Sequence, residues 1–358
     1  MTAELDRLAA GTLLAGFQGT TVPASLHRWL DLGLGGVCLF AWNVESPDQL
    51  ARLTSELEAR RPRLVISIDE EGGDVTRLEA RAGSSYPGNW ALGVVDDRAL
   101  TERVAAAIGA ELRAVGVNLD LAPVADVNVN PANPIVGVRS FGADPELVAR
   151  HVASFVAGLQ SSGVAACAKH FPGHGDTVED SHLALPTVER DEAAMAGALL
   201  PFRAAIEAGV RAVMTAHIRV AGLEEVPATL SRELLTGLLR GELGFDGVVV
   251  SDALEMRAVS GTVGAEEGAV QSLAAGADAL CLGHDLQPEA VHGSIVDAVS
   301  AGRLSEERVQ EAAARVESLA PEARGSAPEL DPGLGLEAAR RALRVDGDVG
   351  LERPPVVV

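Results

Sequence analysis

Short apolar runs alternate along this chain with longer Ala/Leu/Glu/Arg-rich segments whose apolar residues recur at three- to four-residue spacing. The short runs predict buried strands and the longer segments amphipathic helices. Eight strand-like runs stand out, at residues 13–17, 36–41, 64–68, 117–124, 165–169, 212–216, 247–251 and 279–282. One intervening segment shows the logic of the rest. Asp144 can cap a helix, Pro145 suits its first position, and Leu147, Val148, Val152, Phe155, Val156 and Leu159 share one face until Gly163 ends it. Eight repeats of strand then helix predict an α/β fold, a (β/α)8 TIM-like barrel, in preference to an open doubly wound sheet. The barrel is expected over residues 1–320. Beyond it, residues 304–319 read as a last helix, 321–332 are rich in Pro, Gly, Ser and Ala like a linker, and 336–345 are amphipathic. The extension 321–358 is therefore expected either to begin a second domain or to pack back on the barrel.

Polar residues cluster where the apolar runs end: Asp69-Glu70-Glu71, Asp126, Lys169-His170, His217, Asp252 and His284-Asp285. In a barrel these ends converge on one rim, so residues distant in sequence meet in one pocket. The densest cluster follows the fifth run. Lys169-His170-Phe171-Pro172-Gly173-His174-Gly175-Asp176, with Asp180-Ser181-His182 shortly after, places three histidines, a lysine and two further acids in one Gly-bearing loop. Its length and glycines suggest a flap able to close over a ligand.

Composition narrows the partners. A net charge of −22 over 358 residues disfavours nucleic acid and anionic membrane surfaces, leaving a small molecule met by a local pocket. Cys38, Cys167 and Cys281 are odd in number, lie in or beside apolar runs and lack zinc-site spacing, which points to free thiols in a reducing, cytoplasmic setting. The start Met1-Thr2-Ala3-Glu4 has no basic signal-peptide character, and no apolar run is long enough to span a bilayer.

Six segments in chain order carry a family resemblance: Ile68 to Gly73 with Arg77, Asn133-Pro134 with Gly137 to Gly142, Lys169 to Asp176, Asp180-Ser181-His182, Met214 to Ile218, and Ser251 to Met256. Together they resemble glycoside hydrolase family 3, and within it the β-N-acetylglucosaminidase (β-N-acetylhexosaminidase) branch. The resemblance implies a barrel that removes non-reducing-end N-acetylglucosamine with retention of configuration, using neither metal nor organic cofactor. It implies Asp252 as nucleophile, His182 as acid/base oriented by Asp180, and Asp69, Arg77, Arg139, Lys169 and His170 as grips on the sugar. The chemistry is consistent: retention needs a carboxylate nucleophile and a proton donor. An imidazole of ordinary pKa about 6.5 beside a carboxylate can donate and later recover that proton. Muropeptide-type or chitin-derived fragments are the implied substrates. The tail from Leu334 looks like the start of a sandwich domain that some members append.

Other readings stay open at this point. The same dyad serves transfer to phosphate instead of water, His170, His174, Asp176 and His182 form a conceivable metal set, and grips alone would make a non-catalytic sugar-binding barrel. Three positions depart from the family pattern. Asp74 and Trp42 stand where basic residues are frequent, and Trp90 stands where small ones are, all three expected at the pocket mouth.

Overall fold

The computed structural model describes residues 3–179, 185–222, 225–320, 331 and 333–343. Its centre is the expected barrel. The strands are β1 (Leu13–Gly16), β2 (Gly36–Leu39), β3 (Val65–Ile68), β4 (Leu119–Asp120), β5 (Ala165–Phe171), β6 (Ala212–Thr215), β7 (Val248–Val250) and β8 (Leu280–Leu282). They form one eight-stranded parallel sheet in the order β8-β1-β2-β3-β4-β5-β6-β7. A bridge between Val250 and Ala279, with Ser251 N–H donating to Ala279 O at 2.8 Å, closes the ring between β7 and β8.

Each strand is buried on both faces, which is why the sequence shows continuous apolar runs and not alternation. The period of two still decides who goes where. Leu14, Cys38, Val65, Leu119, Cys167, Met214, Val248, Val250 and Cys281 fill the lumen. Their neighbours Leu13, Ala15, Val37, Leu39, Ile66, Ile68, Val213, Val249 and Leu280 pack outward under the helices. Val316 and Leu319, from the helix Glu306–Leu319, join the lumen cluster and plug its N-terminal end.

Two boundaries differ from the sequence reading. The run 117–124 yields only two residues of regular β4, because Pro123 has no N–H for the ladder; pairing resumes at Val124 opposite Lys169. Strand β5 runs on through the polar Lys169-His170 to Phe171, since Lys169 pairs with Val124 and Phe171 pairs with Thr215 across a register shift between Ala168 and Phe171.

The helix after Asp144 spans Pro145–Ser161, with Asp144 Oδ1 accepting from Glu146 N–H at 3.1 Å. In the extension, Leu334–Ala342 is helical and packs Leu334 and Ala338 against the barrel helices Asn89–Val95 and Arg98–Ala114. The described part of the tail thus lies back on the barrel. Residues 321–330 and 344–358 are outside the described residues. Among the described residues no helix is long and apolar enough to cross a membrane.

Candidate active site

The inward positions of β3, β5 and β7, continued one step past the apolar lumen, are Asp69, Lys169 and Asp252, two residues beyond Ser67, Cys167 and Val250. The barrel therefore brings them to one rim from three distant places in the chain. Lys169 is buried, and its Nζ lies 2.7 Å from Asp69 Oδ1 and 2.6 Å from Glu71 Oε1. Glu71 is gripped on its other side by Arg139, with Nε at 2.9 Å and Nη2 at 2.7 Å in a bidentate fork. Arg77 Nη2 reaches Asp69 Oδ2 at 3.3 Å.

The result is an alternating row, Arg77, Asp69, Lys169, Glu71, Arg139, in which every buried charge has an opposite neighbour. Burial by itself would push the two carboxyls up. The flanking cations win, holding Glu71 far below the ordinary carboxylate range and Asp69 below it. The same pairing raises Lys169 against the pull of burial, so it stays an ammonium. Asp69, Arg77 and Arg139 remain partly exposed and can reach a ligand.

His170 is held from behind. Its Nδ1 lies 2.7 Å from Asp126 Oδ2, while Asp126 Oδ1 accepts the backbone N–H groups of His170 at 3.2 Å and His174 at 2.6 Å. Burial would raise Asp126, but the two histidines and these N–H groups bring its carboxyl down to about 2. The loop beyond is tied at several points. His174 Nδ1 pairs with Thr177 Oγ1 at 2.8 Å, and Asn133 Nδ2 donates to His174 O at 2.8 Å. Arg190, almost wholly buried, forks onto Asp176 at 2.6 and 2.8 Å and donates to Pro172 O and Gly173 O. Gly173 takes φ +108, which side-chain-bearing residues avoid. The expected flap is therefore pinned as far as Thr177, with His174 and Asp176 serving the loop itself.

Asp252 is partly exposed at the end of β7, its Oδ1 accepting the N–H of Ala253 at 2.8 Å. Enclosure would raise its carboxyl. His217, His170, the Ala253 N–H and Lys169 outweigh that and keep it below the ordinary value, an anion at neutral pH. His217, at the end of its apolar run, is fully buried. Its Nε2 lies 2.9 Å from Ala253 O and its Nδ1 2.7 Å from Thr229 Oγ1. A carbonyl only accepts, so Nε2 carries a proton and braces the turn that bears Asp252. His151 is likewise a core residue, bonded to Thr101 and Asp96.

His182 and Asp180 lie outside the described residues. Of the departures, Trp42 follows β2, whereas Asp74 and Trp90 line a separate pocket of about 250 Å³ that shares Glu71 and Arg139 with the charged row. Among the described residues no three His, Cys, Asp or Glu side chains are grouped to hold a metal ion.

Three residues central to this arrangement were not assigned roles from sequence. Glu71 and Asp126 could have been found from their place at strand ends. Arg190 carries no local signal, because its partners arrive only through the fold.

An anionic carboxylate among charged and hydrogen-bonding side chains at the C-terminal rim of a (β/α)8 barrel is the arrangement of a barrel enzyme. The profile of the glycosyl hydrolase family 3 N-terminal domain matches residues 20–319, and the chain belongs to glycoside hydrolase family 3. It is 33% identical over 356 residues to a beta-hexosaminidase A of Pseudoalteromonas piscicida, covering 90% of this chain and 60% of that protein's length. Among solved structures, a family 3 beta-N-acetylglucosaminidase from Paenibacillus sp. str. FPU-7 superposes with TM-score 0.87 at 42% identity, over 98% of this chain and 71% of the other. A beta-N-acetylhexosaminidase from Beutenbergia cavernae gives TM-score 0.79 at 31% identity, over 88% and 97%.

Proposed function

We propose that this protein is a retaining exo-β-N-acetylglucosaminidase acting on cell-wall, muropeptide-type, or chitin-derived fragments. The observation that carries the reading is the placement of Asp252, partly exposed at the C-terminal rim one inward step past Val250, in surroundings that favour its anionic form. A nucleophilic carboxylate must be charged and reachable before it can attack. In the first step an Asp252 oxygen bonds to the anomeric carbon as the bond to the leaving oxygen breaks. His182, partnered by Asp180 in the sequence triplet, gives that oxygen its proton. Water then attacks the glycosyl-enzyme, His182 takes a proton back, and Asp252 is released. Asp69, Arg77, Arg139, Lys169 and His170 hold the sugar hydroxyls and substituents. The similarity to hexosaminidases supports N-acetylglucosamine as the glycon. The buried free thiols of Cys38, Cys167 and Cys281 support a reducing, cytoplasmic setting.

The test is mass spectrometry after reaction with a slow 2-fluoro or 5-fluoro N-acetylglucosaminide analogue. The label is expected on the peptide containing Asp252, and Asp252→Ala is expected to abolish turnover. A label on another peptide, or an active Asp252→Ala, overturns the assignment. Product analysis with and without phosphate separates hydrolysis, which yields free sugar in both, from transfer to phosphate.

A further inference from the structure

Going round the rim, the sugar grips occupy one arc. Asp69 and Arg77 follow β3, Asp126 and Arg139 follow β4, and Lys169 and His170 belong to β5. Asp252 stands at β7. Round the ring the other way, from Asp252 to Asp69, the ends of β8, β1 and β2 form an arc that carries none of these grips.

That arc carries an aromatic cluster which the mechanism does not use. Phe40 is the inward position above Cys38 on β2, and Trp42 stacks on it with ring centroids 4.6 Å apart and planes at 16°. His284, just beyond β8, meets the indole at 4.7 Å and 68°. Trp42 Nε1 donates to Phe17 O, beyond β1, at 2.9 Å, so the ring is fastened to all three strand ends. It is nevertheless 43% exposed, a large apolar surface kept in water although its polar edge is satisfied. A pocket of about 270 Å³ shares Phe17 and His284 with this cluster, though Trp42 itself does not line it, and Gln18, Ser25, Gln287 and Glu289 bring hydrogen-bonding groups to it.

An oriented, half-exposed indole beside a pocket with a few polar groups suits a ring with one apolar face and hydroxyls at its edge. We infer that Trp42, backed by Phe40 and His284, is the platform for the leaving group, and that the leaving group it selects is a pyranose ring, the second sugar of an oligosaccharide. The inference rests on the proposed N-acetylglucosaminidase activity. The other exposed indole, Trp90, shares its pocket with Glu71 and Arg139 and so lies on the glycon side.

The experiment compares kcat/KM for N,N′-diacetylchitobiose with that for methyl β-N-acetylglucosaminide, whose leaving group has no ring. Aromatic contacts of this kind correspond to roughly three- to tenfold in an equilibrium constant. The ratio of disaccharide to methyl glycoside is expected to fall by about that factor in Trp42→Ala and to recover largely in Trp42→Phe. A ratio unchanged in Trp42→Ala, or a fall produced by Trp90→Ala instead, overturns the inference while leaving the activity intact. Failure of the wild type to release N-acetylglucosamine from either compound overturns the activity reading, and the platform with it.

Discussion

Replacing Lys169 by Met keeps the unbranched apolar stem and removes the ammonium from between two carboxylates. Asp69 and Glu71, at 2.7 and 2.6 Å from the ammonium, would then face each other in a buried setting. Arg139 still neutralises Glu71, and Arg77 touches Asp69 only at 3.3 Å. Breaking a buried pair by removing one partner costs about 3–5 kcal/mol, because the charge left behind has lost its solvation. For a barrel of this size that corresponds to a melting temperature lower by roughly 4–8 °C.

The pH dependence carries the sharper test. In the wild type both carboxyls are depressed, so their stabilisation is present above the ordinary carboxylate range and is lost as pH falls through their lowered values. Without Lys169, burial and the Glu71 charge push Asp69 upward, and protonation relieves the variant as pH falls. Denaturant unfolding of Lys169→Met and wild type, run at about pH 7.5 and about pH 4.5, should show a gap that shrinks on acidification by about 1 kcal/mol or more. A gap below about 1 kcal/mol at the higher pH, or one equal at both, would refute the idea that this lysine neutralises the row.

Asp126→Asn keeps an acceptor for the two backbone N–H groups but sets an amide against His170 Nδ1. With the carboxyl at about 2 in place of 3.8, wild type should exceed the variant by about 2 kcal/mol above about pH 4, an advantage lost as pH falls towards about 2. A parallel drop of about tenfold or more in kcat/KM is expected if His170 must be aimed by Asp126; full activity in this variant would deny Asp126 that role. Arg190→Met removes the fork on Asp176 and the donors to Pro172 O and Gly173 O. Amide exchange over residues 173–177 should accelerate, and unaltered protection there would show that the loop is held by other contacts.

The sequence by itself determined the barrel and the location of its chemistry. Strands buried on both faces have to be short continuous apolar runs, helices that cover them have to be amphipathic, and both patterns are local. The first polar residue after each run marks the rim for the same reason, which is how Asp69, Lys169 and Asp252 were legible. Pro123 cut β4 short within an apolar run that had read as one strand, because a missing donor matters only where a neighbouring strand requires it.

Only the tertiary structure decided who pairs with whom. Lys169 meets Asp69 a hundred residues away in sequence, Arg139 closes on Glu71, His170 leans on Asp126, and Arg190 fastens a loop whose residues give no hint of it. These contacts follow from the register of eight strands and the closure of the ring, which no short window of sequence contains. The negative charge of Asp252 has the same origin: it is favoured by His217, His170 and Lys169, side chains that become its neighbours only when the barrel closes.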